Sequence, residues 1–315
     1  MIKSIQYFML GLCLIGFPWA SRAAEPPAVS FEQGGDKLQI TIGQRPFATY
    51  VWEDEQIHRP YFCHLHSPHG VQVTRNHPPI EGQDSTDHAS FHPGLWLSFG
   101  DIDGADFWRN QARTEFIEFV QPPRGSAGRG EFVVKNHYLA NDQKLICEEI
   151  CRYTIVVHPA GYYLLVRSRF TSDREFVFGD QEEMGLGVRV NTPMTVQKGG
   201  QILNSDGLKN EKEAWGKTSA WCDYSGVVDG VPAGVTLMPS PNNFRPCWFH
   251  ARDYGLLAAN PFGRNAFTQQ EKSRVTVAPG TAFQLEFGVF IHDTTPLDRS
   301  ALDAAYQEFL RLIKN

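Results

Sequence analysis

Histidines concentrate in one short stretch of the 315-residue chain. Imidazole titrates near neutral pH without a large environmental shift, so a cluster of histidines is suited to moving protons or to binding a metal. Asp84 and Asp87 lie in the same stretch and could orient an imidazole. Seven of the eleven histidines belong to it: His58, His64, His66, His69, His77, His88 and His92. The stretch is therefore the first candidate for a catalytic site.

The strongest candidate for acid–base chemistry is Asp87-His88-x3-His92. A spacing of four residues places both imidazoles on one side of a helical turn, but Pro93 ends any helix at once, so an ordered loop is an equal alternative. Glu183 is the third catalytic candidate, as a general base or as a carboxylate that orients one. Arg189 shares a strand face with Glu183 by even spacing, and could pair with it or hold a substrate oxygen.

A metal site is an open alternative for the same histidines. His64 and His66 lie two residues apart, so on a strand both side chains leave the same face. Together with Asp87, His88 and His92 they could supply three or four ligands to a divalent transition metal such as zinc or iron(II). The spacings do not match the HExxH pattern, and the sequence requires no cofactor. We therefore prefer a metal-free acid–base site.

Aromatic, arginine and amide side chains elsewhere in the chain could complete a carbohydrate site. Aromatic planes pack against the apolar face of a sugar ring, and guanidinium and amide groups hydrogen bond to its hydroxyls. For about half of the tryptophans, packing in the core is the alternative. The substrate-binding candidates are Arg59, Arg75, Trp96, Trp108, Arg189, Trp221, Tyr224, Asn242, Arg245, Trp248 and Arg252.

The elements that must position these residues are predicted to be strands. Short runs of β-branched and aromatic residues are separated by Gly, Pro, Asn and Asp, the pattern of strands joined by turns. Apolar residues alternate within the run 283–291, which buries one strand face against a second layer. We expect an all-β fold, a large antiparallel two-sheet β-sandwich. The predicted strands include 38–42, 47–52, 95–99, 114–120, 131–138, 145–157, 162–170, 235–238, 275–277 and 283–291.

One helix is predicted at the C-terminal end of the chain. Thr295 can cap it, and Pro296 suits its first turn. The helix should present one apolar face, formed by Leu302, Tyr306, Phe309 and Ile313. We expect this face to pack on the rim of the sandwich.

The amino terminus has the pattern of an export signal. Lys3 precedes an apolar run from Tyr7 to Trp19, and small residues flank a cleavage position before Ala24. We expect residues 1–23 to be removed, residues 24–315 to form a single β-sandwich domain, and the mature protein to be periplasmic or secreted. No later segment is long and apolar enough to span a membrane. The formal charge of −6 argues against nucleic acid as a partner.

Several blocks of polar and aromatic residues are spread over most of residues 45–293. They include Arg59-Pro60-Tyr61-Phe62, Val73-Thr74-Arg75, Asp87-His88-x3-His92-x3-Trp96, Asp106-Phe107-Trp108, Glu183-x-Gly185-x-Gly187-x-Arg189, Trp221-x-Asp223-Tyr224, Asn242-x2-Arg245-Pro246-x-Trp248 and Arg252-x-Tyr254-Gly255. These blocks resemble a bacterial family of unknown function, DUF6807, which carries the label "methane oxygenase PmoA". The methane label is misleading, because a particulate methane oxygenase subunit spans the membrane several times. The resemblance implies a secreted or periplasmic β-sandwich protein of bacteria that degrade complex carbohydrate.

Two classes of function fit these observations. The first is an exported enzyme that applies His/Glu acid–base chemistry to a glycoside or a derived, including oxidised, sugar by elimination, epimerisation or hydrolysis. Mutarotase-like supersandwiches do such work with paired histidines and a glutamate, a comparison at the level of fold alone. The second is a non-catalytic carbohydrate-binding protein. The dense histidine cluster favours the enzyme, with a small molecule or an oligosaccharide as its substrate.

Overall fold

The protein is built almost entirely from strands. The computed structural model describes residues 25–293 and 298–314, so the predicted signal peptide lies outside the described residues. The strands are β1 (Val29–Gly34), β2 (Lys37–Ile42), β3 (Arg45–Val51), β4 (Tyr61–Cys63), β5 (Leu95–Phe99), β6 (Arg113–Ser126), β7 (Arg129–Leu139), β8 (Leu145–His158), β9 (Gly161–Thr171), β10 (Phe176–Phe178), β11 (Met184–Arg189), β12 (Gln201–Asn204), β13 (Cys222–Val228), β14 (Val231–Pro239), β15 (Trp248–Arg252), β16 (Leu256–Asn260), β17 (Val275–Val277) and β18 (Phe283–His292). The α-helices are α1 (Asn210–Ala214), α2 (Arg264–Thr268) and α3 (Arg299–Leu312).

Two eight-stranded antiparallel sheets account for most of these strands. The first sheet has the order β1-β2-β3-β4-β5-β11-β16-β15, and the second has the order β12-β13-β14-β18-β9-β8-β7-β6. Strands β10 and β17 pair separately. The prediction of an all-β fold with two large sheets is therefore confirmed, and every run predicted as a strand overlaps a strand of the structure.

The core lies between the two sheets and follows the predicted alternation. In β18, Leu285, Phe287 and Val289 are fully buried within one cluster that draws on both sheets. This cluster is rich in aromatic rings, because large side chains fill the space between two sheets about 10 Å apart. The cysteines of the described residues are all free and buried, as expected for structural thiols: Cys63, Cys147, Cys151, Cys222 and Cys247.

Helix α3 packs against the outer face of the second sheet. Its N-cap is Asp298, whose side chain accepts a hydrogen bond from the Ser300 backbone N–H; the cap predicted from the sequence, Thr295, lies outside the described residues. Leu302 and Phe309 are buried, as predicted, in a cluster with residues of β9, β14 and β18. The predicted apolar face of the helix is therefore confirmed, whereas the prediction that it packs on the rim of the sandwich is wrong, because it covers the outer face of the second sheet.

The candidate site lies on the outer face of the first sheet, which is the face turned away from the core. Along β11, Leu186 and Val188 point into the core, so Gly187 and Arg189 lie on the outer face. The strand register places Trp96, Gly187, Ala258 and His250 side by side on β5, β11, β16 and β15. A row with two small residues at its centre leaves space above the sheet for rings supplied by loops.

Gly187 is required by that space. A Cβ atom at this position would lie 2.6 Å from Cη2 of Trp108 and 3.0 Å from Cζ2 of Trp96. We expect Gly187→Ala to lower the free energy of unfolding by about 1–3 kcal/mol, because neither indole can move within the packed cluster. Urea unfolding measures this. Gly34→Ala is the matched control, since a Cβ there meets nothing within 4 Å, and equal effects of the two substitutions would contradict the packing argument.

Candidate active site

Two buried arginines hold the histidine-rich loop against the first sheet. Arg75 donates from Nη1 to the carbonyl oxygens of Ser85 (2.8 Å) and Asp87 (2.7 Å), and from Nη2 to that of His92 (3.0 Å). Three hydrogen bonds from one planar guanidinium fix the path of residues 85–92. Arg75 is fully buried, so we assign it a positioning role.

Arg59 does the same for the end of that loop and for the loop that follows β5. Its guanidinium donates to the carbonyl oxygens of Phe107 (3.1 Å) and Trp108 (2.8 Å), and also to that of Phe91. It also lies over the Trp96 ring, with its Cζ 5.4 Å from the ring centroid. Arg59 thus ties together the segments that carry His92 and Trp108.

Asp87 and His88 form a pair that a third residue orients. The Asp87 carboxylate accepts two parallel hydrogen bonds from the Arg189 guanidinium, both 2.7 Å long. The same carboxylate lies 2.8 Å from Nδ1 of His88. Although partial burial raises the pKa of Asp87, the hydrogen bonds from Arg189, Ser85 and His88 together hold that pKa well below its usual range. Asp87 is therefore a fixed negative charge beside the imidazole, and Arg189 pairs with Asp87 rather than with Glu183.

The contact with Asp87 sets the tautomer of His88. A carboxylate only accepts hydrogen bonds, so Nδ1 carries the proton and Nε2 is left to exchange a proton with a bound molecule. The side chain is 39% exposed, and the His88 backbone has a φ of 53°, which a non-glycine residue rarely adopts. The arrangement holds an exposed, oriented imidazole on a constrained loop.

His92 lies directly behind His88 and is held neutral. Their rings stack with centroids 5.1 Å apart, so the spacing-based prediction that both imidazoles face the same side is confirmed. His92 Nε2 accepts a hydrogen bond from the Trp108 indole N–H (3.1 Å). Burial, aided by the positive charges of its neighbours, lowers the pKa of His92 well below the usual value. His92 therefore serves as a rigid support for His88 rather than as a proton donor.

The stacked rings form a column that reaches the surface. Tyr254 stacks on His88 at 5.5 Å, and Trp96 stacks on His92 at 5.0 Å. Tyr254 is partly exposed, whereas Trp96 is buried. Stacking on both sides restricts His88 to one ring orientation, and it leaves Tyr254 as the aromatic plane next to the exposed imidazole.

Glu183 lies on the other side of His92 and is largely buried. Its Oε1 lies 3.9 Å from His92 Nε2, and its side chain is 10% exposed. Arg109 forms an ion pair with it, and also donates to Asp106 at 2.9 Å. Burial raises the pKa of Glu183, and the Arg109 charge opposes that rise only in part. Glu183 is consequently a stronger base than an exposed glutamate, and Arg109 favours its ionised form.

Arg252 extends the polar site toward the edge of the first sheet. Its Nε donates to His250 Nε2 (2.8 Å), and its Nη1 donates to Glu211 on α1 (2.7 Å). Nη2 lies 3.9 Å from a Glu182 oxygen. Burial lowers the pKa of His250 to about 3, so this imidazole is neutral and acts as an acceptor. Arg252 is held in place by three groups while about a third of its side chain stays exposed.

The histidines proposed as metal ligands do not come together as one set. Strand β4 ends at Cys63, and His64 follows with a φ of 52°, so His64 and His66 are not successive outward residues of a strand. His64 Nδ1 lies 3.5 Å from Cys63 Sγ. Within residues 25–293 and 298–314, no group of three or more His, Cys, Asp and Glu side chains is arranged to hold a metal ion. The Asp87 carboxylate already accepts hydrogen bonds from Arg189 and contacts Nδ1 of His88.

A comparison with protein-family models identifies the family of the chain. The model described as "Family of unknown function (DUF6807)" matches residues 37–307. The protein belongs to the DUF6807 family. This confirms the resemblance drawn from the sequence blocks. A comparison with curated proteins finds no match.

A comparison of this DUF6807 protein with solved structures gives matches of low similarity. The α-galactosidase from Lactobacillus brevis gives a TM-score of 0.42 at 9% identity and covers 83% of this chain and 39% of that chain. A galactose mutarotase-like protein from Lactobacillus casei gives 0.35 at 12%, with 84% and 100% covered. The GalM/aldose epimerase homologue from C. elegans gives 0.31 at 10%, with 84% and 100% covered. The chain thus spans about two fifths of the α-galactosidase.

None of the helices in the described parts of the DUF6807 protein is long and apolar enough to cross a membrane.

Four of the remaining residues predicted to contact substrate are buried. Trp96, Trp108 and Trp221 are fully buried, and the Trp221 indole N–H donates to Asp303 on α3 at 2.9 Å, far from the histidines in the fold. Tyr224 is also buried, and its hydroxyl donates to the Asp253 carbonyl at 3.0 Å. These side chains support the fold around the site rather than offering a surface to a sugar.

Three other candidates lie beside the site or away from it. Trp248 is partly exposed on β15, on the same outer face as Arg252. Asn242 is exposed in the turn after β14. Arg245 lies in the same segment, between β14 and β15, and donates a hydrogen bond to Ser273 at 3.0 Å. The structure therefore brings His88, His92, Glu183, Arg189 and Arg252 to one face, and leaves Asn242 and Arg245 outside that group.

Sequence reasoning missed two residues of the site, Arg109 and Tyr254, and one residue beyond its edge, Trp215. Arg109 follows the Asp106-Phe107-Trp108 block directly, and an arginine three residues after an aspartate could have signalled the ion pair. Tyr254 lies inside a block that was recognised but not assigned a role. Trp215 lies under Arg252, with the Arg252 Cζ 5.8 Å from its ring centroid, and no local pattern pointed to it.

Proposed function

We propose that this DUF6807 protein is an exported carbohydrate-active enzyme in which Glu183 and His88 exchange protons with a sugar. The observation that carries the proposal is the partly exposed imidazole of His88, oriented through Nδ1 by the Arg189–Asp87 pair and placed near a buried glutamate of raised pKa. Perturbed carboxylates beside an oriented imidazole are typical of proton-transfer sites. The predicted signal peptide supports export.

The two groups take complementary roles. Glu183, with a raised pKa and an ion pair to Arg109, acts as the general base that removes a proton from the sugar. His88, when protonated, carries N–H groups on both ring nitrogens, and the Asp87 carboxylate stabilises that cation. Its Nε2–H then donates to a substrate oxygen as the general acid. His92 keeps the two groups apart, since it contacts both.

The contacts of Asp87 favour elimination or epimerisation over hydrolysis. Glycoside hydrolysis in most families uses two carboxylic groups, one as acid and one as nucleophile or base. The carboxylate next to His88 is engaged by two hydrogen bonds from Arg189 and is therefore not a free nucleophile. A single carboxylate base paired with an imidazole acid suits removal of a proton from a sugar carbon or hydroxyl.

A reaction screen with the purified protein tests this proposal. Polarimetry on free aldoses detects epimerisation at the anomeric carbon, absorbance detects unsaturated products of elimination, and nitrophenyl glycosides report hydrolysis. We expect turnover in one of the first two assays, with a bell-shaped dependence on pH. Sugar binding without turnover, and without pH dependence between pH 5 and 8, would instead support the non-catalytic carbohydrate-binding alternative.

A further inference from the structure

Two partly exposed tryptophans lie beyond Arg252 at the edge of the first sheet. Trp248 is on the outer face of β15, and Trp215 follows α1. The backbone next to Trp215 extends the sheet, because the Gly216 N–H donates to the Phe249 carbonyl (2.8 Å) and the Phe249 N–H donates to the Lys217 carbonyl (2.9 Å). The surface that carries His88 therefore continues past β15 without a step.

Phe267 joins the two indoles into one aromatic cluster. Its ring centroid lies 5.3 Å from that of Trp215 and 6.4 Å from that of Trp248. The ring is largely buried beneath them and also contacts His250. Because Phe267 fills the space below, the indoles are supported from inside and hold fixed planes at the surface.

Polar groups border this cluster on the side of the active site. Arg252 lies over the Trp215 ring and is fixed by His250 and Glu211. Glu182 and Glu211 keep part of their carboxylate surface exposed. Aromatic planes bordered by fixed guanidinium and carboxylate groups match a sugar, whose ring faces are apolar and whose hydroxyls both donate and accept hydrogen bonds.

The distance along β15 exceeds the width of one sugar ring. His88 stacks on Tyr254, two residues after the Arg252 end of this strand. Trp248 begins the strand four residues before Arg252, which corresponds to about 13 Å. A ring bound at His88 would therefore leave Trp248 free for a second ring of the same molecule.

We propose that Trp215, Trp248 and Arg252 form a second sugar subsite, so that the preferred ligand is an oligosaccharide of neutral pyranose units. The inference rests on the proposed function, since it takes the His88 face as the first subsite. The acidic side chains of Glu182 and Glu211, which border the second subsite, disfavour acidic sugars there.

Calorimetric titration measures the subsite directly. The probes are glucose, xylose, cellobiose, xylobiose, maltose, cellotetraose, xylotetraose and maltotetraose. We expect one series to bind about tenfold more tightly as an oligosaccharide than as its monosaccharide. In Trp215→Ala this gain should disappear while monosaccharide affinity is unchanged, and Trp215→Phe should keep part of it. Phe244→Ala, at an exposed aromatic residue outside the site, is the control and should retain the full gain.

The outcomes separate the two proposals. A chain-length gain that survives in both Trp215→Ala and Trp248→Ala, with native melting temperatures, would overturn the subsite, and so would failure of every probe to bind. A gain that depends on Trp215 in a protein with no turnover would leave the subsite standing and overturn the acid–base proposal. Turnover without any chain-length gain would do the reverse.

Discussion

His88→Ala is expected to lower kcat by about 10²- to 10⁴-fold on any sugar that the wild-type protein turns over. The substitution removes the partly exposed imidazole, while Asp87 keeps its two hydrogen bonds from Arg189. The side chain is partly exposed, so the melting temperature should change little. Steady-state kinetics and thermal unfolding on the same sample measure both effects.

His69→Ala is the matched control for this loss. His69 lies in the same histidine-rich stretch, but its side chain is 72% exposed and pairs only with Asp293 among the contacts found in the described residues. Its removal should leave kcat unchanged. Full activity in His88→Ala, or a loss of the same size in both variants, would show that His88 is not the acid.

The role of Asp87 adds a readout that a structural effect alone would not move. Asp87→Asn replaces the carboxylate beside His88 Nδ1 with an amide, which can donate as well as accept. The proton of the neutral imidazole should then no longer be fixed on Nδ1, and kcat should fall because less of the ring presents Nε2 in the required form. Nitrogen chemical shifts of the His88 ring report the tautomer directly. An unchanged tautomer together with an unchanged kcat would remove Asp87 from the mechanism.

The fold was largely predictable because its signals are local. Alternation of apolar residues along runs such as 283–291 depends on neighbours two positions apart, and these runs became strands with the predicted face buried. The stacking of His88 on His92 is local in the same way. Structural features that depend on the spacing of a few neighbouring residues could therefore be predicted from the sequence.

The pairing of charges across the site was not predictable, because it depends on strand order. Arg189 meets Asp87 from 102 residues away, and the even spacing that suggested Glu183 as its partner carries no information on loops. Glu183 meets Arg109 because β5 lies beside β11 in the first sheet. The burial of the tryptophans was not predictable for the same reason. The sequence identifies Trp96 and Trp108 as aromatic residues, but only their packing against Gly187 in the folded protein shows that they are buried.

Glu183→Gln is expected to abolish turnover and, at the same time, to stabilise the fold. Burial raises the pKa of Glu183, so the folded protein binds its proton more tightly than the unfolded chain does. The folded state is therefore destabilised as pH rises from the ordinary carboxyl range, about 4, through the raised pKa. Glutamine never ionises and removes this cost, which predicts a gain on the order of 1 kcal/mol at pH 7.

The gain should depend on pH with a defined sign. Below the ordinary carboxyl range, Glu183 is protonated in the folded and in the unfolded protein. Wild type and Glu183→Gln should therefore have the same free energy of unfolding there. Urea unfolding at pH 3.5 and pH 7 tests this. Glu182→Gln, at the partly exposed neighbour, is the control and should change stability by less than about 0.5 kcal/mol at either pH. A variant less stable than wild type at pH 7 would contradict the assignment of a net burial cost.

Arg109 provides the kinetic counterpart. Its positive charge opposes the rise in the pKa of Glu183, so Arg109→Ala should raise that pKa further. If Glu183 is the base, the acid limb of the pH–rate profile moves to higher pH in this variant, because that limb reports the pKa of the base. An acid limb that stays in place in Arg109→Ala would show that Glu183 is not the base.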